Sequence, residues 1–298
     1  MRRALAGELI NLAEQNQKIF FITADLGFGV FDEFKARFPN RYINVGIAEA
    51  GMVGLASGLT KEGFIPIIYS IASFMNSRAY EQIKVLAGYN ESKMVIIGAG
   101  GGLLYSKSGP THHSLDDLGL ALMIPNMLVA APAGPQELRN LLRTSVNANS
   151  STYIQIGKFG EEDVSDDQSS NPYNSEFLVI STGNASHIVK EAKKLKPNLF
   201  NWVHSTYLRP LDEANIIKLC QKRSQILIVE DSWENSGLYN QIVLLLQRNF
   251  VSVRVVRLGP PTKFILENAS IETLQNIYGY SPHHIILTLE LRTYNTLE

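Results

Sequence analysis

The sequence predicts an α/β protein of two domains, each with a mostly parallel sheet flanked by helices. Short apolar runs, typical of buried strands, alternate with segments of helical periodicity along most of the 298 residues. A polar, acidic and turn-rich interval at 161–175 interrupts this alternation. We therefore expect a first domain at 1–160, a linker at 161–175 and a second domain at 176–298, each large enough to bury a core.

The first domain is predicted to begin with a helix at 4–15, whose leucines share one face, followed by a buried strand at 18–23. Helices and strands then alternate, with elements at 48–61, 64–69, 74–86, 93–97, 115–123, 127–131, 135–147 and 152–156. Because strands that alternate with helices pair in parallel, their carboxyl ends lie at one edge of the sheet. That edge is where α/β proteins bind their ligands.

The second domain continues the alternation, with elements at 177–181, 185–195, 201–204, 212–221, 225–229, 238–248 and 251–256. Glu230 and Asp231 follow one of these strands. They are either a metal-binding pair or surface or capping carboxylates, and the second role is the commoner one at such positions.

The composition is that of an ordinary globular enzyme or of one of its subunits. A net charge of −1 gives no basic excess, so neither a nucleic acid nor a membrane surface is an expected partner. The single cysteine, Cys220, excludes an intrachain disulfide framework and a cysteine-rich metal site. The first ten residues lack the apolar core of a signal peptide, and no apolar run is long enough to span a bilayer. We therefore expect a cytoplasmic protein.

The most informative stretch of the first domain is 41–83. A short extended run leads into Gly46-Ile-Ala-Glu49, which opens a helix of small residues. A carboxylate at this position is either a first-turn residue stabilised by the helix dipole or a titrating group with a chemical role. The residue pattern alone leaves both interpretations open.

Six short motifs in this order and spacing resemble those of one enzyme family. They are Gly46-Ile-Ala-Glu49, Tyr69-Ser-Ile-Ala-Ser-Phe74, Arg78-Ala-Tyr-Glu-Gln-Ile83, Gly109-Pro-Thr-His-His113, Ile124-Pro-Asn-Met127 and Leu208-Arg-Pro-Leu-Asp212. The first domain resembles the pyrimidine-binding domain of transketolases, and the chain is most similar to the separate C-terminal subunits of split transketolases. The resemblance extends from Arg3 to about Leu246 and implies the family's two-domain fold.

The resemblance also implies which residues bind the cofactor thiamine diphosphate. Glu49 matches the glutamate that hydrogen-bonds the aminopyrimidine and exchanges a proton with it, so that the cofactor can then deprotonate its own thiazolium carbon. Asp25 matches an aspartate beside the pyrimidine. Phe74 matches the aromatic residue that packs on the ring, and Ile71 takes the place of a second phenylalanine.

Two histidines in the Gly-Pro-Thr-His-His motif are candidates for contact with the substrate. By resemblance, His112 faces the thiazolium and the substrate, where it would hydrogen-bond a developing alkoxide or transfer its proton. His113 stands where the family usually has glutamine. A histidine pair in a loop bounded by glycine and proline favours a functional role over a purely structural one.

The chain lacks the Gly-Asp-Gly motif with which transketolases hold the cofactor's diphosphate through Mg²⁺. In that family the motif lies in a separate N-terminal domain. The resemblance therefore implies a partner subunit that supplies the diphosphate and Mg²⁺ site. We expect this chain to dimerise within an α2β2 assembly.

Several substitutions relative to the family predict an unusual sugar-type substrate. Gly100 replaces a histidine, and Lys107-Ser108 replaces Glu-Asp, whose aspartate binds a substrate hydroxyl. Lys158 stands in place of an arginine that grips the substrate phosphate, and a lysine lacks that bidentate fork. Arg3 is what remains of that phosphate-binding set. Lys107 is a candidate contact for an anion placed differently.

Three functions remain open at this stage. The first is transfer of a two-carbon ketol unit by a split transketolase-like enzyme. The second is the β subunit of the decarboxylating component of a 2-oxoacid dehydrogenase, although the Gly-Pro-Thr-His-His motif favours ketol transfer. The third is a non-catalytic assembly subunit, against which the presence of Glu49, Phe74 and His112 together argues.

Overall fold

The computed structural model describes residues 1–164, 175–221 and 223–295, and their side chains as far as residue 291. It contains two sheets flanked by helices, one of seven strands and one of four. The predicted α/β class with two mostly parallel sheets is therefore confirmed. Most of the predicted linker, from 165 to 174, lies outside the described residues.

The first sheet has the strand order β2-β1-β3-β4-β6-β5-β9, and every pair is parallel except the last. The strands are β1 (Ile19–Thr23), β2 (Tyr42–Asn44), β3 (Ile65–Ile71), β4 (Val95–Ala99), β5 (Leu128–Ala130), β6 (Thr152–Ile156) and β9 (Tyr207–Arg209). Strands β1, β4 and β6 are buried along their whole length. Burial on both faces explains why these strands read as continuous apolar runs in the sequence.

Two layers of helices cover this sheet. They are α1 (Arg2–Gln15), α2 (Asp32–Arg37), α3 (Glu49–Lys61), α4 (Ala72–Gln82), α5 (Asp117–Leu122) and α6 (Pro135–Asn147). Along β1, Ile19 and Phe21 join the core formed with α1 and α6, whereas Phe20 and Ile22 join the core formed with α3 and α4. Successive side chains of a strand point to opposite faces, so one apolar strand serves both cores.

The second sheet is entirely parallel, with the order β11-β10-β7-β8. Its strands are β7 (Phe177–Ser181), β8 (Asn201–His204), β10 (Gln225–Val229) and β11 (Arg254–Leu258). The helices of this half are α7 (Ala185–Leu195), α8 (Glu213–Cys220), α9 (Leu238–Arg248), α10 (Ile271–Ile277) and α11 (Pro282–Asn295). In the described parts of the chain, no helix is both long and apolar enough to cross a membrane.

The short strand β9 connects the two halves of the molecule. It comes after β7 and β8 in the chain, yet it pairs antiparallel with β5 at the edge of the first sheet. The Arg209 guanidinium fixes it there by donating to the backbone oxygens of Ile124, at 2.7 Å, and Leu122. The Leu-Arg-Pro-Leu-Asp motif therefore has a structural role in joining the halves.

Some element boundaries differ from the sequence prediction. The helix predicted at 74–86 begins at Ala72, departs from helical geometry at Ala79 and continues as a π-helix over Ile83–Tyr89. The strand predicted at 251–256 is Arg254–Leu258. Helices α2, α10 and α11 and strand β9 were not predicted, because short elements carry few periods of any hydrophobic pattern.

Candidate active site

The carboxyl ends of the parallel strands bring most of the predicted site residues to one edge of the first sheet. The loop with Asp25 follows β1, the turn before Glu49 follows β2, α4 with Phe74 follows β3, and Lys158 follows β6. The glycine run at 98–102 begins at the end of β4 and leads into the loop with the two histidines. The parallel sheet thus places all these groups around one region.

Glu49 is the first residue of α3 and is only 3% exposed. Its carboxylate accepts a hydrogen bond from Ser70 Oγ, 3.1 Å from Oε1, and pairs with Arg78, whose Nη1 lies 3.2 Å from Oε1 and 3.3 Å from Oε2. Glu49 is therefore both a first-turn residue and a buried carboxylate with a polar, charged partner set. The N-terminus of α3 and the Arg78 guanidinium are thus both direct neighbours of this carboxylate.

Arg78 is a site residue that the sequence interpretation quoted within a motif but gave no role. Its guanidinium carbon lies 3.8 Å from the centre of the Phe74 ring, while the same group pairs with Glu49. Phe74 and Arg78 are four residues apart on α4, a spacing that places side chains on one helix face. Arg78 therefore engages both residues assigned by resemblance to the cofactor pyrimidine. The i, i+4 spacing was the available sequence signal.

His112 lies next to Phe74, with 4.9 Å between the ring centres in an edge-to-face arrangement. Its Nδ1 is 3.0 Å from Thr111 Oγ1, and no other described residue hydrogen-bonds the ring. The backbone N–H of His112 donates to Gly109 O at 3.0 Å, which holds the residue in a tight turn. Nε2 is consequently the ring nitrogen left to meet a substrate.

His113 differs from its neighbour in being buried. Its Nε2 lies 3.2 Å from Ser106 O, within the same loop, and its Nδ1 has no hydrogen-bond partner among the described residues. Burial lowers the pKa of His113, which favours the neutral ring, with Nε2–H donating to Ser106 O. Its role in substrate binding therefore remains a prediction, while its contribution to the loop is visible.

Lys107 and Ser108 lie on the outer side of this loop. Together with Tyr105 and Lys158 they line a cavity of about 490 Å³. The structure thus brings Lys107 and Ser108 to the same cavity as Lys158. By resemblance, the first two replace the family's acidic pair and the third replaces an arginine that binds the substrate phosphate. Sequence spacing alone does not show this, because Lys158 is about fifty residues further along the chain.

Tyr105 is a second residue that the sequence interpretation missed. Its ring lies between His112, 5.9 Å away between ring centres, and Lys158, whose Nζ is 3.7 Å from the ring centre. Gly100 has a φ of 76°, and a Cβ on this residue would collide with the Tyr105 ring. The tyrosine therefore occupies the space opened where the family has a histidine and this chain has glycine.

Lys158 also lines a larger cavity of about 780 Å³ with Arg2, Arg3 and Phe28. Arg2 Nε donates to Lys158 O at 3.0 Å, so the first helix is tied to this strand end. Burial, and then the charge of Arg2, lower the pKa of Lys158. The arginines and the lysine form a cationic wall suited to an anionic group. The sequence interpretation included Arg3 but not Arg2.

Asp25 and Ile71 are less connected to the remaining site residues. Asp25 is exposed with a φ of 50°, and its backbone N–H donates to Asn44 Oδ1 at 2.9 Å. The same oxygen accepts from Gly46 N at 3.0 Å, so Asn44 ties the Asp25 loop to the turn before Glu49. Ile71 is buried at the end of β3. Both stand at the predicted edge, without a side-chain contact to Glu49 among the described interactions.

The arrangement fits the pyrimidine part of thiamine diphosphate. An aminopyrimidine requires a buried carboxylate next to a flat aromatic face. Here the planar guanidinium of Arg78 contacts both groups, since it pairs with Glu49 and lies over the Phe74 ring. For the metal there is no comparable fit. Within residues 1–164, 175–221 and 223–295, no three His, Cys, Asp or Glu side chains form a group that could hold a metal ion. Glu230 pairs with Arg257 instead, and Asp231 accepts from a backbone N–H.

Several known proteins resemble the chain. The 1-deoxy-D-xylulose-5-phosphate synthase of Dictyoglomus thermophilum is 30% identical over 300 residues, covering 93% of this chain and 47% of that protein. One of the subunits of the apulose-4-phosphate transketolase of Phocaeicola vulgatus is 26% identical, covering 96% of this chain and 95% of the relative. The chain thus spans about half the length of the synthase and nearly all of the transketolase subunit.

Solved structures share the fold. A structure described as a split-gene transketolase, an inactive beta4 tetramer, superposes with a TM-score of 0.85 at 24% identity, covering 97% of this chain and 96% of that one. The transketolase of Campylobacter jejuni gives a TM-score of 0.81 at 16% identity, with 97% and 46% covered. The match to nearly the full length of the first and to about half of the second agrees with the two-sheet architecture.

Family models match both halves of the sequence. Residues 1–158 match the transketolase pyrimidine-binding domain, and residues 171–285 match the transketolase C-terminal domain. Together with the buried carboxylate beside an aromatic face and the shared fold, these matches establish that the chain belongs to the transketolase family and contains its pyrimidine-binding and C-terminal domains.

Proposed function

We propose that the chain is the C-terminal subunit of a split, thiamine-diphosphate-dependent enzyme that transfers a two-carbon ketol unit between sugar-type substrates. The observation that carries this proposal is the contact set of Glu49: a buried carboxylate joined through Arg78 to the Phe74 face, with His112 packed against that ring. The bound cofactor supplies the carbanion chemistry, and the protein supplies orientation and proton transfer.

Glu49 is the residue that would hold the pyrimidine. Its burial keeps water away from the carboxylate, so a hydrogen bond from this group to the cofactor would be strong. The same carboxyl group would exchange a proton with the cofactor, and Ser70 Oγ, which donates to Oε1, would keep that oxygen in place. Phe74 would supply an apolar face for the ring, with Ile71 and Asp25 as further contacts.

His112 is the group that meets the substrate. Its Nδ1 is held by Thr111, so Nε2 would donate to a substrate oxygen that gains negative charge and return the proton in the reverse step. His113, Lys107 and Ser108 are proposed as further substrate contacts from the same loop. Lys158 and Arg3, with Arg2, supply positive charge for an anionic part of the substrate.

The diphosphate and Mg²⁺ are proposed to be held by a partner subunit that carries the Gly-Asp-Gly motif. The Phocaeicola vulgatus relative is named as one subunit of an apulose-4-phosphate transketolase, and this chain covers nearly all of it, which supports the existence of a second chain. We extend this to an α2β2 assembly in which two copies of each chain complete two sites. The divisions at 1–160, 161–175 and 176–298 likewise stand as our proposed domain limits, and a cytoplasmic location remains our expectation.

The test of this function is reconstitution with that partner. We expect this chain alone to bind thiamine diphosphate weakly with or without Mg²⁺, and the two-chain complex to bind it tightly and to transfer ketol units. Isothermal titration calorimetry measures the affinities, and a coupled assay with a panel of ketose donors measures transfer. Tight, Mg²⁺-dependent binding by this chain alone would contradict the division of the site between two chains.

The same assay distinguishes a second candidate reaction. Because the Dictyoglomus thermophilum relative is a 1-deoxy-D-xylulose-5-phosphate synthase, formation of that product is measured in parallel. Synthase activity without ketol transfer would replace the proposed reaction while retaining the cofactor site. A complex that binds the cofactor but performs neither reaction would favour the non-catalytic interpretation.

A further inference from the structure

The loop that carries His112 is closed at its base. Gly102 and Ser114 form an antiparallel bridge, with Gly102 N donating to Ser114 O at 2.8 Å and Ser114 N donating to Gly102 O at 2.9 Å. All residues between them, including Lys107, Ser108 and both histidines, belong to one loop, which we call the histidine loop (103–113). The two ends of the loop are therefore held against each other at its base.

The base of the histidine loop is embedded in the second half of the molecule rather than in the first. Leu103 and Leu115 flank the bridge and are almost fully buried, at 0% and 2% exposure. Both belong to the apolar core formed with the second sheet, in which Val179 and Leu227 also pack. Although the loop follows a strand of the first sheet, the apolar contacts at its base are with the other one. Further along the loop, Thr111 O accepts a hydrogen bond from Ser73 Oγ of the first half at 3.3 Å.

Polar contacts from the segment 231–236, which follows β10, reinforce this anchoring. Asp231 Oδ2 accepts from Leu103 N at 3.0 Å, on one side of the bridge. On the other side, Leu115 O accepts from Trp233 N at 2.7 Å and from Ser236 Oγ at 2.6 Å. One short segment of the second half thus holds both sides of the base.

Asp231 uses both oxygens of its carboxylate, one toward the base of the histidine loop and one toward the second half. Its Oδ1 accepts from Tyr280 Oη at 3.2 Å, and Tyr280 is fully buried, so the carboxylate is aimed at Leu103 by a rigid neighbour. Gly102 has a φ of 62°, and a Cβ there would collide with the Asp231 carboxylate. The backbone of the loop therefore approaches Asp231 as closely as only glycine permits.

We propose that Asp231 is a positioning residue for the proposed reaction: it fixes the base of the histidine loop and thereby sets the position of His112. The C-terminal half would then affect turnover through this contact, in addition to packing against the first half. This inference rests on the proposed function only for its kinetic readout. A carboxylate serves both contacts at once, since one oxygen accepts from the backbone and the other from Tyr280. Alanine serves neither.

The test compares Asp231→Ala and Asp231→Asn in the reconstituted two-chain complex. An asparagine can still accept from Leu103 N and donate to the Tyr280 oxygen, so we expect it to retain most of the activity. For alanine we expect kcat to fall between about 10-fold and 100-fold, because small displacements of a catalytic group have effects of that size. The Kd for thiamine diphosphate should stay unchanged, because Glu49 and Phe74 lie outside the histidine loop.

A matched control separates positioning from general destabilisation. Glu230 precedes Asp231 and is also buried, but its carboxylate pairs with Arg257 within the second half and makes no described contact with the histidine loop. Glu230→Gln should lower the melting temperature while leaving kcat close to that of the wild type. If Asp231→Ala prevents folding, Ser236→Ala takes its place, because it removes the Leu115 contact on the other side of the base.

Hydrogen exchange gives a readout that does not depend on turnover. In Asp231→Ala the amides of residues 103–113, except Pro110, which has no amide hydrogen, should exchange faster, while the amides of β3 and α4 should not. Unchanged exchange in the loop together with unchanged kcat would overturn the proposal, as would an equal loss in Glu230→Gln. A complex without any turnover would contradict the proposed function, whereas the exchange result would still decide whether Asp231 holds the loop.

Discussion

The pyrimidine-binding group and the histidine loop lie side by side but are built differently. Glu49, Ser70, Phe74 and Arg78 are on regular elements of the first half, and their contacts with one another stay within that half. The histidine loop is largely irregular and is anchored in the core of the second half. Regular elements suit the pyrimidine-binding group, because the cofactor is the same throughout the family. The irregular histidine loop, anchored elsewhere, can accept substitutions without disturbing cofactor binding.

The sequence departures follow the same division. Relative to the family, the pyrimidine-binding group keeps its glutamate and its aromatic residue, and Ile71 next to it takes the place of a second phenylalanine. The substrate side differs at Gly100, Lys107 and Ser108. We therefore predict that the loss of the Glu49 carboxyl group abolishes catalysis with any substrate, whereas changes at Lys107 and Ser108 alter which substrate is used.

The largest effect is expected for Glu49→Gln. Glutamine retains hydrogen bonding and volume but cannot exchange the proton, so turnover should fall by about 100-fold or more, the range for a general acid–base group. The complex should still assemble, which size-exclusion chromatography checks. Near-full activity of this variant in the reconstituted complex would show that Glu49 is only a helix-start residue.

A smaller but still large effect concerns ordinary phosphorylated sugars. With xylulose 5-phosphate and ribose 5-phosphate, kcat/KM should lie well below about 10⁴ M⁻¹s⁻¹, the lower end of the common enzyme range. Each lost contact to a charged group costs about 1.5–3 kcal/mol. Steady-state kinetics of the complex measure this, with unphosphorylated sugars as the control for the phosphate. A higher constant would show that these substitutions did not redirect the substrate.

Ser108→Asp tests whether the substrate side of the site can be changed without affecting cofactor binding. Restoring the ionised acceptor should raise kcat/KM for the same sugar phosphates by about tenfold, the effect of one charge-assisted hydrogen bond. The Kd for thiamine diphosphate should not change, because Ser108 makes no described side-chain hydrogen bond to the pyrimidine-binding group. A gain that came with an equally large change in cofactor affinity would argue that the two parts of the site are not separable.

Arg78→Ala tests the one contact of the pyrimidine-binding group that competes with the proposed ligand. Since the guanidinium already engages the Glu49 carboxylate and the Phe74 face, its removal should lower the Kd for thiamine diphosphate by up to about tenfold. Arg78→Lys, which retains the charge but not the planar group, is the control. A higher Kd in Arg78→Ala would mean that Arg78 helps to hold the cofactor rather than occupying its place.

A different kind of effect, on stability and not on catalysis, is expected at Asp117, shortly after the histidine loop. This buried carboxylate accepts from Tyr153 Oη at 2.5 Å and from Gln155 Nε2 at 2.9 Å, and burial raises its pKa to about 6. The folded state therefore binds more protons than the unfolded state between the ordinary value of 3.8 and about 6. Stability from this group is complete below that window and is lost as the pH rises through it.

Asp117→Asn removes this titration. The free energy of unfolding of the variant relative to the wild type should rise between about pH 4 and pH 7, at about 1.4 kcal/mol for each unit by which the pKa is raised. Urea unfolding of the isolated chain at both pH values measures it. A constant difference at the two pH values would show that Asp117 does not titrate in this range.

The sequence predicted the regular part of the site better than the irregular part. Glu49 and Phe74 were assigned by resemblance, from short motifs that lie at the ends of regular elements. The Arg78 contact with both was not predicted, although its spacing from Phe74 on α4 was visible. Tyr105 was missed because its place depends on the space above Gly100 and on Lys158, which only tertiary packing brings together.

The anchoring of the histidine loop was the least predictable feature. Asp231 was considered as a metal ligand or a capping group, and its actual contact is with a backbone N–H 128 residues earlier. No local pattern carries such information. The strand order was predictable only as a parallel arrangement, because β9 has three residues and pairs antiparallel with a strand about eighty residues before it.

The position of β9 has a consequence for what happens when the chain is cut. A protease cleaving between β6 and β7 would leave an N-terminal fragment whose first sheet still needs β9 from the C-terminal fragment to cover the edge of β5. Open strand edges promote aggregation, and the Arg209 contacts to Leu122 and Ile124 add to the attachment. The nicked protein should therefore remain associated as a two-fragment complex, whereas the N-terminal fragment expressed by itself should aggregate.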